Sequence, residues 1–94
     1  MDQGNKLNIA ICDDDRSVTE QLSEWIKEYF ISHHLAEPDI YKFDNGDSLI
    51  NSEVKYDFVF LDIVIPGMNG INIGRRLLEQ NEECLIYIIT AYDS

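Results

Sequence analysis

Short, mostly apolar runs alternate with segments of helical periodicity along this 94-residue chain, and this alternation constrains the fold more than any other feature. Three runs, LNIAIC (7–12), FVFLD (58–62) and LIYIIT (85–90), have the composition of strands that are covered on both faces. A fourth run, DIYKF (39–43), is more polar, and Lys42 within it is typical of an edge strand. The resulting order βαβαβαβ predicts a parallel sheet with right-handed crossovers and helices on both faces.

The segment after the first strand predicts an amphipathic helix. Apolar residues recur at helical spacing from Val18 onward, and Trp25 with the aromatic residues near it is expected in the core. Either Asp15 or Ser17 is expected to cap this helix, and the spacing from Ser17 to Glu20 fits a capping box. Two histidines near the end of the helix are expected to serve its C-terminus rather than catalysis.

Two further helices are expected later in the chain. A brief one lies around 47–52, between the second and third strands. After the third strand, a loop that contains Pro66 and Gly67 leads to a helix from about Gly70 to Asn81, with Asn69 as its cap.

Composition and charge limit the kinds of partner. The chain has 45% hydrophobic residues and is expected to fold as one small globular domain. Its 18 acidic and 7 basic residues give a net charge of -11, which makes nucleic acid a poor direct partner for this segment. No apolar run is long enough to span a membrane, so the expected location is the cytoplasm. Cys12 and Cys84 fall at opposite ends of the sheet and are not expected to form a disulfide.

Acidic side chains converge on one rim of the predicted sheet. Asp13, Asp14 and Asp15 follow the first strand, Asp62 ends the third, and Thr90 ends the fourth. In open parallel sheets, ligands bind beyond the carboxyl ends of the strands, where the strand order reverses. A carboxylate placed there suits a structural cap, a metal ligand or a nucleophile, and the strand pattern leaves these three roles open.

Three motifs in this order resemble the receiver domain of bacterial two-component response regulators. They are the acidic pair 13–14, the pattern D-x-x-x-P-x-x-x-G in DIVIPGMNG (62–70), and the pair Thr-Ala (90–91) after an apolar strand. The resemblance covers about residues 7–94. The ending TAYDS (90–94) is also similar to receivers that carry a LytTR-type DNA-binding domain.

The resemblance implies a role for each matching residue. Asp62 would accept a phosphoryl group from a sensor histidine kinase. Asp13 and Asp14 would hold Mg²⁺ together with Asp62, and the backbone carbonyl of Val64 would be a further ligand. Thr90 would contact the phosphoryl group and switch position when it arrives. Carboxylates are hard oxygen donors of the kind that Mg²⁺ prefers, and the cation would offset their mutual repulsion.

The resemblance also implies a fold and an organisation. The fold would be a three-layer, flavodoxin-like α/β fold with a parallel sheet of strand order 2-1-3-4. Receivers of this kind continue with a further helix, a fifth strand and a final helix, so residues 1–94 are expected to be one receiver domain, incomplete at its C-terminus. The domain would control an output domain, expected to act in transcription, and would not itself be an enzyme. An unpaired fourth strand would favour self-association.

Two other functions remain open on the sequence. Residues 13–17, DDDRS, fit the D-x-D-x-[S/T] pattern of haloacid dehalogenase-type phosphatases, with Asp13 as nucleophile, Asp15 as general acid and Thr90 as phosphate binder. This alternative leaves Asp62 and the Pro-Gly loop unexplained. The other is a receiver-like interaction module that never takes phosphate, and the intact set of acids argues against it.

Overall fold

The computed structural model of the chain describes residues 6–62, 64–65 and 68–89, with the side chains of 64, 65 and 68 excepted. Each predicted strand and helix lies within two residues of its expected bounds. The strands are β1 Asn8–Cys12, β2 Asp39–Phe43, β3 Phe58–Asp62, β4 Val64–Ile65, β5 Met68–Asn69 and β6 Leu85–Ile89, and the helices are α1 Arg16–Ser32, α2 Gly46–Asn51 and α3 Gly70–Gln80.

Four parallel strands form the main sheet, in the order β2-β1-β3-β6. Since β6 is the fourth strand of this sheet along the chain, the predicted order 2-1-3-4 is confirmed. The central strand β1 pairs on both sides, so that Ile9 lies between Ile40 of β2 and Phe58 of β3. The strand order reverses between β1 and β3, which places their carboxyl ends at the crevice where ligands bind in folds of this type.

The segment between β3 and α3 differs from its prediction as a loop. It contains a two-stranded antiparallel hairpin, in which Val64 pairs with Asn69 and Ile65 with Met68. The expectation of an irregular loop was therefore wrong for these four residues. The physical reason is length, because a strand of two residues is too short to show the alternation from which strands are predicted. Pro66 and Gly67 themselves lie outside the described residues.

The best-packed part of the core lies on the face of the sheet covered by α2 and α3. Ala10 of β1 and Val59 and Leu61 of β3 are fully buried there, and Ile73 and Leu77 of α3 cover them. Such alternation within a strand, with every second residue on this face, is what a sheet with helices on both faces requires.

The expectation that Trp25 lies in the core is wrong, as the side of the sheet next to α1 shows. Trp25 is 60% exposed and Tyr29 is 56% exposed, whereas Thr19 and Ser23 are the buried residues of α1. At 3.6 residues per turn, the members of one pair lie roughly 80–160° away from those of the other around the helix axis. Thr19 and Ser23 are therefore the buried side of α1, and Trp25 and Tyr29 lie on a part of the helix that is largely exposed.

The cap of α3 provides a stability test. The Oδ1 atom of Asn69 accepts hydrogen bonds from the backbone N–H groups of Ile71 at 2.8 Å and Asn72 at 3.2 Å. Asn69→Ala should therefore lower the free energy of unfolding by about 1 kcal/mol, because two donors of the first turn lose their partner. Urea unfolding measures this. Asn72→Ala is the matched control and should change stability by less than about 0.5 kcal/mol. Equal losses in both variants would contradict the capping role.

Candidate functional site

Three carboxylates meet at the carboxyl ends of β1 and β3. Asp13 follows β1 directly, Asp14 is the next residue, and Asp62 is the last residue of β3. One oxygen from each lies within 4.8 Å of the others. Asp13 and Asp62 are buried, at 3% and 8% exposure, whereas Asp14 is exposed. The pairing of Cys12 with Leu61 brings these distant parts of the sequence together.

The main chain fixes Asp13 in this cluster. Its N–H donates to the carbonyl of Phe43 at 3.0 Å, which continues the contact between β1 and β2 past the end of the strand. Its Oδ1 atom accepts from the N–H of Asp15 at 2.9 Å. Its Oδ2 atom is buried and has no hydrogen-bond partner among the described residues. A buried, unsatisfied carboxylate oxygen is costly, so this atom is suited to bind a ligand from outside the chain.

Burial and like charges raise the pKa of Asp13 above its ordinary value. Burial is the largest cause of the raised pKa of Asp13, and the negative charges of Asp62, Asp14 and Asp15 raise it further. The hydrogen bond from the Asp15 backbone opposes the shift only in part. A cation held among these carboxylates would offset both the repulsion and the desolvation.

Asp15 has a different role from its two neighbours. It is the N-cap of α1, and its Oδ1 atom accepts from the N–H of Ser17 at 3.0 Å and from the Ser17 hydroxyl at 2.7 Å. These hydrogen bonds lower the pKa of Asp15. Of the two predicted caps, the structure therefore selects Asp15. An ionised, hydrogen-bonded cap is poorly suited to the general-acid role of the phosphatase alternative.

The cysteine beside the acidic pair is not a reactive thiol. Burial, followed by the charges of Asp13, Asp44 and Asp62, raises the pKa of Cys12 to about 12. Its Sγ atom donates to the carbonyl of Asn45 at 3.4 Å. Cys84 is also buried and free, so the expectation that the two cysteines form no disulfide is confirmed.

The donor set fits a hard divalent cation such as Mg²⁺. All three groups are carboxylates, which such cations prefer, and Asp13 offers a buried oxygen that no described group satisfies. Val64 follows two residues after Asp62 at the start of β4, but its carbonyl as a ligand stays a prediction. Thr90, predicted as the switch residue, lies outside the described residues.

Two basic residues border the cluster, and the sequence reasoning gave them no part in it. A cavity of about 540 Å³ beside Asp13 and Asp14 is also lined by Arg16 and Lys42. From the sequence, Lys42 is interpreted only as a residue typical of an edge strand. The position of Arg16, directly after the acidic run, was the available signal, whereas Lys42 joins the cavity through the pairing of β2 with β1.

The raised pKa of Asp13 predicts a pH dependence of stability. The native state binds this proton more tightly than the unfolded state, whose pKa is the ordinary 3.8. Without metal, the free energy of unfolding should therefore fall as the pH rises from 3.8 through the raised pKa of Asp13. Above the raised pKa it should stay at the lower value. Asp13→Asn should be more stable than the parent at neutral pH in EDTA, because it removes this penalty.

Urea unfolding across a pH series measures the difference between the two proteins. The difference should shrink as the pH falls through the window. Asp47→Asn, an exposed residue in the first turn of α2, is the control and should show no such trend. A difference for Asp13→Asn that grows toward acid pH would contradict the argument.

None of the helices in the described part of the chain combines the length and the apolar character needed to cross a bilayer. The fold and the site together define a flavodoxin-like α/β domain with a cluster of three carboxylates at one rim of its sheet. Residues 9–94 match the family described as the response regulator receiver domain. The chain belongs to this family, and it is a receiver domain of the response regulators of two-component systems.

Relatives and solved structures agree with this assignment. The sensory transduction protein LytT of Oceanobacillus iheyensis is 34% identical over 96 residues, which cover 95% of this chain and 36% of LytT. A cyclic di-GMP phosphodiesterase of Thermotoga maritima is 24% identical over 87 residues, covering 93% of this chain and 22% of that protein. The structure of the response regulator TrrA from Thermotoga maritima, in complex with Mg²⁺-BeF, is 26% identical, has a TM-score of 0.78, and aligns with 93% of this chain and 71% of TrrA.

The chain thus spans between 22% and 36% of the length of these two curated relatives. The cyclic di-GMP phosphodiesterase matches this chain over only 22% of its length, so its name describes that protein and not this chain. Neither the phosphatase alternative nor the interaction-module alternative gains support from the comparisons.

Proposed function

We propose that Asp62 is the phosphoacceptor of this receiver domain, and that Asp13 and Asp14 hold Mg²⁺ beside it. The observation that carries the proposal is the mutual approach of the three carboxylates, whose oxygens lie within 4.8 Å of one another at the crevice between β1 and β3. Asp62 is the last residue of β3, a strand that pairs on both sides. A site built on such a strand is positioned more precisely than one on a loop, which favours a precise approach to a phosphoryl donor.

In the proposed reaction, a carboxylate oxygen of Asp62 attacks the phosphorus of a phosphohistidine on a sensor histidine kinase. A bond forms between that oxygen and phosphorus, and the bond between phosphorus and the histidine nitrogen breaks. The product on this chain is an acyl phosphate, a known form of covalent carboxylate chemistry. Asp15 takes no part in this step, since its side chain caps α1.

Asp13 and Asp14 would hold the cation in different ways. Asp13 is fixed by the main chain on Oδ1 and offers Oδ2, whereas the exposed Asp14 completes the set from the solvent side. Bound Mg²⁺ would supply positive charge to the oxygens of the transferring phosphoryl group. We include the backbone carbonyl of Val64 as a further ligand and Thr90 as the switch residue, on the basis of their positions in the family motif.

The proposal extends to partners and location. The phosphoryl donor is a sensor histidine kinase, and the phosphorylated domain controls a separate output domain. We take that output to be transcriptional because the chain is 29% identical over 90 residues to the transcriptional regulatory protein ResD of Bacillus subtilis. The net charge of -11 disfavours direct contact between this segment and nucleic acid, because both are negatively charged. Residues 1–94 act as one receiver unit in the cytoplasm, and any catalysis is limited to phosphorylation and dephosphorylation of the domain itself.

Labelling of the chain with acetyl phosphate and Mg²⁺ tests the proposal. Intact mass should increase by one phosphate, and peptide mapping should place it on Asp62. Phosphate mapped to Asp13 would overturn the assignment and favour the phosphatase alternative.

A further inference from the structure

The cavity of about 540 Å³ beside the carboxylate cluster lies on the side of β1 that is next to β2. Its wall consists of residues of α1 and β2, the residues that follow β1 and β2, and Ser48 of α2. Asp13 and Asp14 belong to this wall, and the Oδ2 atom of Asp13 is buried without a hydrogen-bond partner among the described residues. The cavity therefore shares two residues with the proposed site of phosphorylation.

Arg16 and Lys42, called the basic pair below, bring positive charge to this cavity from two different elements. Arg16 is the first residue of α1, and Lys42 lies in β2, where it pairs with Ile11 of β1. Both side chains are exposed, and in the described part of the chain neither forms an ion pair. Two basic groups without a carboxylate partner of their own are available to an anionic ligand.

The negative charge of the cavity wall decides when an anion can enter. Glu20 and Asp44 accompany Asp13 and Asp14 in the wall, so four carboxylates stand against the two basic groups. Without metal, these carboxylates would repel an anion. A divalent cation at Asp13 and Asp14 would balance the two excess negative charges, and the basic pair could then attract an anion. Binding of an anion in this cavity should therefore require the cation.

The order of the strands places this cavity opposite the proposed nucleophile. Asp62 ends β3, Asp13 follows β1, and β2 lies beyond β1, with about 4.8 Å between neighbouring strands. In phosphoryl transfer, the attacking and leaving atoms lie roughly in line through phosphorus. A donor that Asp62 attacks from the β3 side therefore extends its leaving group across β1 toward β2, which is the side on which the cavity lies.

We propose that Arg16 and Lys42 form a subsite for an anionic leaving group, which makes this receiver selective for acyl phosphates among small phosphoryl donors. The inference rests on the proposed role of Asp62 as the phosphoacceptor. A carboxylate oxygen of Asp62 forms a bond to phosphorus, and the bond between phosphorus and the acyl oxygen breaks. The leaving group departs as a carboxylate with the electron pair of that bond, so no proton is required. The negative charge that develops on it is stabilised by the basic pair.

Two phosphoryl donors with different leaving groups test the proposal. Acetyl phosphate releases acetate, which is an anion, whereas phosphoramidate, with its nitrogen protonated, releases neutral ammonia. The rate of labelling by acetyl phosphate, divided by the rate with phosphoramidate, should fall about threefold in Arg16→Gln and about threefold in Lys42→Gln. Each substitution removes one exposed positive charge that only the anionic leaving group requires. Intact-mass spectrometry in excess Mg²⁺ measures both rates.

Lys55→Gln is the matched control, because it removes the same charge from an exposed side chain before β3, at the opposite end of the sheet. It should leave the ratio of rates within about 1.5-fold of the parent value. A ratio that stays the same or rises in Arg16→Gln or in Lys42→Gln would overturn the subsite and leave the role of Asp62 intact. A parent protein that takes no phosphate from either donor would instead contradict the role of Asp62.

Two unreactive ligands test the subsite without any phosphorylation. Phosphonoacetate carries a carboxylate one methylene away from its phosphonate, and methylphosphonate lacks that carboxylate. In Mg²⁺ the parent should bind phosphonoacetate about tenfold more tightly, and Arg16→Gln and Lys42→Gln should each reduce this preference about threefold. Nuclear magnetic resonance titration measures the dissociation constants and should show shifts of the backbone amides of Arg16 and Lys42. Equal affinity of the parent for the two ligands, or equally tight binding of phosphonoacetate in EDTA, would overturn the proposal.

Discussion

Asp62→Asn is expected to reduce phosphorylation of this chain by acetyl phosphate and Mg²⁺ to background. An amide oxygen is a far weaker nucleophile than a carboxylate, and it cannot form the acyl phosphate. The substitution keeps the size of a side chain that is only 8% exposed, so the fold should survive it. Intact-mass spectrometry measures the fraction labelled, and circular dichroism checks the fold.

Asp15→Asn is the matched control for this experiment. It changes the same type of side chain close to the cluster, but Asp15 caps α1 and is not among the three grouped carboxylates. It should keep the labelling of the parent. Labelling that survives Asp62→Asn and disappears in Asp13→Asn would contradict the phosphoacceptor assignment, as would a parent protein that takes no phosphate under these conditions.

Mg²⁺ is expected to stabilise the native state of the parent, and Asp14→Ala is expected to abolish that effect. A ligand that binds only the native state adds RT ln(1 + [L]/Kd) to the free energy of unfolding, about 1.4 kcal/mol at ten times Kd. For a domain of this size such a gain corresponds to roughly 5–10 °C in Tm. In the absence of metal, Asp14→Ala should be no less stable than the parent, because it removes one of three repelling charges.

Thermal unfolding in EDTA and in millimolar Mg²⁺ measures both effects. Glu82→Ala is the control: Glu82 is an exposed acid between α3 and β6, outside the cluster, so this variant should keep the full increase in Tm. The absence of any increase in the parent would contradict the metal site. An equal increase in Asp14→Ala would show that Mg²⁺ acts elsewhere on this acidic chain.

The sequence by itself determined the helices and the strands of the main sheet, whereas the order of those strands followed from the resemblance to receiver domains. Each main-sheet strand and each helix has a local signal, such as the apolar run of β3 or the cap residue Asn69, and that signal depends on neighbours in the chain. The convergence of Asp13, Asp14 and Asp62 also followed from sequence, because the carboxyl ends of parallel strands share one edge of a sheet. The roles of Val64 and Thr90 rest on the family motif and stay predictions.

Only the tertiary structure decided which side chains are buried and which polar atoms are left without a partner. The helical period marked the apolar stripe of α1, but Trp25 and Tyr29 within it are exposed, whereas Thr19 and Ser23 are buried. Periodicity cannot show which side chains a neighbouring element will cover. In the same way, the motif identified Asp13, but only the structure shows that its Oδ2 atom is buried without a hydrogen-bond partner among the described residues. The N–H of Asp13 donates to Phe43 of β2, and its Oδ1 atom accepts from the N–H of Asp15. Burial depends on contacts between segments far apart in the chain, and local sequence does not record them.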